Sequence, residues 1–265
     1  MVKPTSTSPV KSHLEHVAVV LLRPKLSENI GTAARAATNM GLGRLILVDP
    51  PVFEKEVVQH AATRAARPIV DNIIRFETLP QALSGFHYVV GTTARGGAHR
   101  GPFITPRALA QKLAAPGENN RVALVFGPER TGLATADLRL CQAVVRIPTA
   151  DPGTSSLNLA QAVLILGYEL MLAKKTGDPR PPRIKSAPVS EVQAMYDHLS
   201  RTLRTIGFLP DLNSDHWLMS FKRIFNRSGL THGECNLIRG LCRQIAWAVN
   251  HPDKVRRVED PERDA

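Results

Sequence analysis

The chain reads as an α/β protein: a mostly parallel sheet with helices on both sides, followed by a small helical domain. Three observations carry this. Short, continuous apolar runs recur between Val17 and Ile147. Segments of helical character separate them, which is the alternation expected of parallel strands joined by crossover helices. Past Thr176 the composition changes: a proline-rich basic stretch leads into helical patterns with no further strand run.

Val17–Leu22 is apolar throughout, as a strand covered on both faces must be. Asn29 to Met40 is an alanine-rich helix closed by Gly41 and Gly43. Leu45–Val48 is a second strand, stopped by Asp49-Pro50-Pro51. Lys55 to Ala66 is helical, Ile69-Val70 begins a short connection, and Leu79–Leu83 is another helix. Tyr88 to Thr93 is a strand running into a loop of small residues. Pro106–Ala114 is a helix with its proline in the first turn. Arg121–Phe126 is the next strand, Thr135–Leu140 a short helix, and Ala143–Ile147 a strand closed by Pro148. Leu157–Lys174 is a long apolar helix.

Residues 1–13, rich in Pro, Ser and Thr, form a disordered lead without the apolar core of a signal peptide. Residues 14–175 form the main domain and 176–188 a linker, whose closely spaced prolines cannot continue a helix. Residues 189–252 form the helical domain, with helices at Ser190–Ile206 (Ser190 as cap), Asp215–Asn226 and Thr231–Asn250; 253–265 is a charged tail.

The 265 residues carry 34 Lys and Arg against 23 Asp and Glu, a formal charge of +11. That excess attracts phosphate polymers. Between Arg180 and Arg243, ten basic residues face five acidic ones. The longest mostly apolar run, Ala160–Ala173, is too short to cross a bilayer, so no membrane partner is expected. Cys141, Cys235 and Cys242 have neither zinc nor disulfide-framework spacing, and the histidines form no metal pattern. Metal-free chemistry and reduced thiols in a cytoplasmic protein are expected. No GxGxxG, GxxxxGK[ST] or GxSxG element is present.

Three polar clusters stand beside the strands: Asn29-Ile30-Gly31 with Arg35, Phe126 to Gly132, and Ser155-Ser156-Leu157-Asn158. Ligand sites of open α/β sheets lie beyond the carboxyl ends of strands, which is where these loops fall. Arg35 has the forked donors that hold a phosphate. It is equally at home as a surface arginine on an alanine-rich helix. Glu129 can pair with a cation or end as a solvated turn residue. Ser155, Ser156 and Asn158 supply polar groups at a helix start, or simply cap it. The Thr92-Thr93-Ala94 turn is similarly ambiguous.

Taken in order, the clusters resemble the motifs of the SpoU or TrmH family of SPOUT RNA ribose methyltransferases, from about Val17 to Lys174. The first motif is Asn29-Ile30-Gly31-Thr32-Ala33-Ala34-Arg35, the second Phe126 to Leu133, and the third Ile147-Pro148 with Ser155 to Ala160. Val90-Gly91-Thr92-Thr93-Ala94-Arg95 and the segment Leu203–Arg243, including Phe225-Asn226-Arg227, are similar to the family's TrmJ branch, which modifies tRNA.

The resemblance implies an α/β-knot (trefoil knot) domain working as a homodimer. It implies S-adenosylmethionine held by groups around Thr92, Thr93, Ala94, Gly127, Ile147, Ser155, Ser156 and Leu157. It implies methyl transfer to a ribose 2′-hydroxyl of tRNA, at cytidine or uridine 32 of the anticodon loop. Arg35 would promote deprotonation, and the family's dimer geometry would let it meet cofactor bound mainly by the other subunit. Glu129 would orient Arg35 or neighbouring polar groups, and Asn29, Ser156 and Asn158 would shape the pocket. The second motif departs from many relatives in placing Pro128 before Glu129. The loop from Ile147 to Ser155 lacks the relatives' methionine and simple glycine spacing. Methylation of another RNA, such as rRNA, and a non-catalytic RNA-binding knotted dimer are the rival readings.

Overall fold

The computed structural model describes residues 14–95, 103–114, 120–150, 156–173, 186–209, 214–225 and 230–254. The 1–13 lead, Ser155, most of the 176–188 linker, Asn226-Arg227 and the tail past 254 lie outside them. The chain divides into two compact units, Met1–Val189 and Ser190–Ala265.

The first unit is a seven-stranded sheet: β1 Val17–Leu22, β2 Arg44–Val48, β3 Ile74–Phe76, β4 Tyr88–Thr92, β5 Phe103–Ile104, β6 Val122–Phe126 and β7 Ala143–Val145. The order is β3-β2-β1-β6-β4-β7-β5, and every pairing is parallel. β6 and β7 each take a place beside strands laid down earlier in the chain. All six β1 residues are buried. Val17, Val19 and Leu21 enter one core, whereas Ala18, Val20 and Leu22 enter the other. This two-sided burial explains the unbroken apolar run, each such side chain contributing about 1.5–3 kcal/mol.

One face is covered by α1 (Ser27–Asn39), α2 (Lys55–Ala62), α3 (Arg67–Asp71), α5 (Pro106–Ala114) and α7 (Leu159–Ala173). The other receives α4 (Leu79–Leu83) and α6 (Thr135–Leu138). Ala33, Ala34, Ala36 and Ala37 are buried on α1. These small side chains let it pack closely on both α2 and α7. Gly31 serves the same end, since a Cβ there would overlap the Val58 carbonyl and lie 2.7 Å from Ala61 Cβ.

Several boundaries differ from the sequence expectation. The helix expected over Lys55–Ala66 stops at Ala62, because Thr63 takes a φ of 68°. A 3-10 turn at Arg64–Ala66 follows, and α3 restarts with Pro68 in its first turn, where its missing N–H costs no helical bond. β3 and β5 were not expected. They are the two edge strands, three and two residues long, too short to leave a pattern. α7 begins at Leu159 rather than Leu157.

The second unit holds α8 (Val189–Thr205, whose first residue belongs to the first unit), α9 (Ser214–Phe225) and α10 (His232–Asn250). Ser190 lies inside the first turn of α8 rather than capping it, because the helix already starts at Val189. Thr231 caps α10: its hydroxyl accepts from Glu234 N at 3.2 Å, and Glu234 Oε2 accepts from Thr231 N at 2.7 Å. The core gathers Leu199, Leu203, Leu209 and Cys242, with Phe221, Phe225 and Ile238 against them.

Candidate active site

The carboxyl ends of β4, β6 and β7 open into one cleft of about 110 Å³. Its walls are Thr92, Thr93 and Ala94 after β4, Phe126 to Glu129 with Gly132 after β6, and Val145 and Ile147 at and beyond the end of β7. Ser156, Leu157, Leu159 and Ala162 close it from the start of α7.

Main-chain geometry holds these walls. Thr92 Oγ1 donates to the Val125 carbonyl at 3.0 Å, tying β4 to β6. Thr93 N donates to the Val145 carbonyl at 3.0 Å, tying β4 to β7. The loop after β6 folds back on itself, Gly132 N donating to the Pro128 carbonyl at 2.7 Å. Gly132 has a φ of 63°, the left-handed region glycine reaches without strain. Gly127 is needed for space: a Cβ there would overlap the backbone of Gly132 and Leu133.

At the rim, polar groups from all three sequence clusters meet. Asn29 Nδ2 donates to Glu129 Oε1 at 2.8 Å. Lys25 N donates to Glu129 Oε2 at 3.2 Å. Asn158 Nδ2 donates to Asn29 Oδ1 at 3.4 Å, while Asn158 Oδ1 accepts from Ala160 N at 2.9 Å at the start of α7. A chain of contacts thus runs Glu129–Asn29–Asn158 across residues about a hundred positions apart in sequence.

Thr92, Thr93, Ala94, Gly127, Glu129, Ile147, Ser156 and Leu157 therefore share one cleft, and Asn29 and Asn158 stand at its edge through Glu129. Arg35 does not line it. It is exposed on α1, about 120° round the helix from Asn29 at 3.6 residues per turn. Glu129 accordingly orients Asn29 and the Lys25 backbone, not the Arg35 of its own chain. Phe126, Pro128, Gly132, Val145, Leu159 and Ala162 also line the cleft. None of them was named as a site residue; Phe126, Pro128, Gly132 and Leu159 lie within the quoted motifs, and Val145 and Ala162 lie two residues outside them.

Cys141 packs beneath β4, where a Cβ on Gly91 would come 2.8 Å from its Sγ. Burial, with Asp137 adding to it, pushes its thiol up to about 12, so it stays protonated and offers no nucleophile. Among the described residues no His, Cys, Asp and Glu group could hold a metal ion, and no helix is long and apolar enough to cross a membrane.

Comparison with known proteins gives consistent matches. Residues 16–168 match the SpoU rRNA Methylase family. Residues 190–257 match the tRNA methyltransferase TrmJ C-terminal domain. The chain is 38% identical over 244 residues to the tRNA (cytidine/uridine/adenosine-2′-O-)-methyltransferase TrmJ of Pseudomonas aeruginosa, covering 86% of this chain and 93% of that protein. It is 35% identical over 238 residues to the tRNA (cytidine/uridine-2′-O-)-methyltransferase TrmJ of Salmonella typhimurium, covering 88% and 97%. Among solved structures, TrmJ from Z. mobilis ZM4 superposes with a TM-score of 0.70 at 32% identity, covering 86% of this chain and 98% of the other.

Proposed function

This chain belongs to the SpoU methylase family, in its TrmJ branch, and from that premise we propose that it transfers a methyl group to a ribose 2′-hydroxyl of tRNA. The observation that carries the reading is the Glu129–Asn29–Asn158 contact chain, which joins all three motifs at the rim of one cleft.

The donor is S-adenosylmethionine. The cleft suits it: Val145, Ile147, Leu157 and Leu159 offer an apolar surface for a purine. Gly127 lets the loop after β6 close on itself beside the cleft, since a Cβ there would overlap the backbone of Gly132 and Leu133. The main chain around Thr93, Gly127 and Leu157 would hold the cofactor, and Ser156 would face its reactive end. When bound, its sulfonium supplies a methyl group already activated for transfer.

The protein's own work is alignment and proton removal. Asn29 and Asn158, fixed through Glu129, shape the place where the ribose enters. Arg35 contacts the ribose or its phosphate and promotes loss of the 2′-hydroxyl proton. A guanidinium is already protonated and accepts no proton, so it acts by stabilising the developing alkoxide while the proton passes to solvent. Because Arg35 stands away from its own cleft, a homodimer in which it reaches the partner's cleft completes the site. The basic bias of the stretch from Arg180 to Arg243 supports a grip on the tRNA backbone and shape. Cytidine or uridine at nucleotide 32 is the proposed address.

The test uses purified protein, tritiated S-adenosylmethionine and separate pools of unmodified tRNA and rRNA, followed by nucleoside mapping. Label on a tRNA ribose in the anticodon loop is expected. Label confined to rRNA would overturn the substrate, and donor binding without transfer to any RNA would overturn the enzymatic reading.

A further inference from the structure

A second hollow, of about 420 Å³, lies on the other side of the Gly127–Gly132 loop. It shares Pro128 and Gly132 with the donor cleft. Its charged lining is Arg23, Lys25 and Arg95, and among the described residues no carboxylate lines it. We infer that this hollow seats a backbone phosphate of the RNA beside the ribose being methylated, which rests on the reading of the first cleft as a tRNA methylation site.

Three features support the assignment. First, like charges lining one hollow repel each other, and an anion between them relieves that cost. The loop's own carboxylate does not serve, because Glu129 faces the first cleft and is engaged by Asn29 and Lys25 N. Second, Arg23 is held in an unusual backbone state. Its φ is 49°, and its N–H donates to the Val48 carbonyl at 2.8 Å. A non-glycine residue in the left-handed region is costly and marks positions where placement matters. Third, the hollow is tied to the cleft. Arg95 N donates to Thr93 Oγ1 at 3.1 Å, so Arg95 is fixed by the same segment that walls the donor site. Likewise the Lys25 N–H ends on Glu129. An anion held here would sit one loop's width from the reacting ribose. A phosphodiester of the same strand has the charge and the covalent tether to occupy both places at once.

The test is the salt dependence of tRNA binding by the full chain, wild type against Arg23→Gln, Lys25→Gln and the double variant. Glutamine removes the charge and keeps the backbone bonds at both positions. Arg44→Gln is the control, since Arg44 is exposed at the amino end of β2, away from the strands' carboxyl ends. Affinity for single-stranded contacts falls with log salt at about 0.7 per phosphate engaged. The double variant is therefore expected to make the slope shallower by about 0.7, the share of the one phosphate seated, and each single variant by part of that. KM for tRNA rises, and the affinity for S-adenosylmethionine stays at the wild-type value. Unchanged slopes in both single variants and the double variant would overturn the assignment. An equal change in Arg44→Gln would also overturn it, by showing only general attraction. If wild-type protein binds tRNA but methylates no RNA, the methylation reading fails and the inference that rests on it fails too; methylation with unaltered slopes removes the hollow alone.

Discussion

Replacing Gly127 by alanine tests whether the donor cleft depends on bare backbone. The added methyl would overlap the Gly132 carbonyl carbon and Leu133 N, and it would lie 2.8 Å from Gly132 O. All three atoms are main chain, so no side-chain rotation relieves the clash. The loop itself must move, and the 2.7 Å bond from Gly132 N to Pro128 O moves with it. Overpacking of this kind costs about 1–3 kcal/mol. At about 2–4 °C per kcal/mol for a domain of this size, Tm should fall by about 2–12 °C. Gly132 provides an internal contrast. A Cβ there meets nothing within 4 Å, and only its φ of 63° opposes a side chain. Alanine at that position should cost about 1–2 kcal/mol. Asparagine, which tolerates this conformation better, should cost less than alanine at 132. Thermal melting and calorimetric titration with S-adenosylmethionine measure both effects. A Gly127→Ala protein that melts within about a degree of wild type and binds the donor equally well would refute the reasoning.

Arg35→Ala should leave melting and donor binding near wild type, because Arg35 is exposed, while kcat falls by about a hundredfold or more; unaltered turnover would remove its assigned role. Asn29→Ala and Glu129→Gln should each reduce transfer, and the double variant should lose less than their sum, with a coupling of about 0.5–3 kcal/mol. Strict additivity would show that the 2.8 Å contact between them carries no function. Thr231→Ala should destabilise the second unit by about 0.5–2 kcal/mol, read by denaturant unfolding at neutral pH. Thr231's backbone and side-chain hydrogen bonds depress the Glu234 carboxyl below its ordinary 4.5. Their contribution is therefore present above that value and lost as pH falls through the depressed one. The wild type should lose part of its advantage over Thr231→Ala along that acid limb, the part carried by the hydroxyl's bond to the carboxylate, and a constant difference down to acid pH would contradict the cap's ionic share.

Much of the sheet was legible because burial on both faces writes itself as an unbroken apolar run, as in Val17–Leu22. The edges were not. Ile74-Arg75-Phe76 is three residues long, and Ile74 and Arg75 are exposed, with Arg75 resting 4.5 Å above the Phe53 ring instead of pointing into a core. Nothing in that composition separates it from a loop. The break at Thr63 was hidden for a different reason. Alanines on both sides favour helix, and the interruption comes from one backbone angle that propensity does not encode. Pro68 was the available warning, since a helix running through it would lose a hydrogen bond. Strand order and the knot implied by the family resemblance are relations among distant segments, and no local period carries them.

The site was legible in part for a related reason. Its cleft is built mainly from main chain at strand ends, and main chain needs small residues and tight turns, which the sequence displays as Gly127, Gly132 and the Thr92-Thr93-Ala94 turn. Those positions could be chosen without knowing any distance. The directions of the long side chains could not. Glu129 was expected to orient Arg35 or neighbouring polar groups; helical phase turns Arg35 away, and Asn29 and the Lys25 backbone take the carboxylate. The consequence is a division of labour. Glycines and backbone bonds hold the cleft open, and a chain of two amides and one carboxylate fixes its rim. The cations stand outside it, Arg35 on one helix face and Arg23, Lys25 and Arg95 behind the loop. An arrangement that keeps positive charge beside the cleft and out of it suits a positively charged donor within and a polyanion arriving from outside.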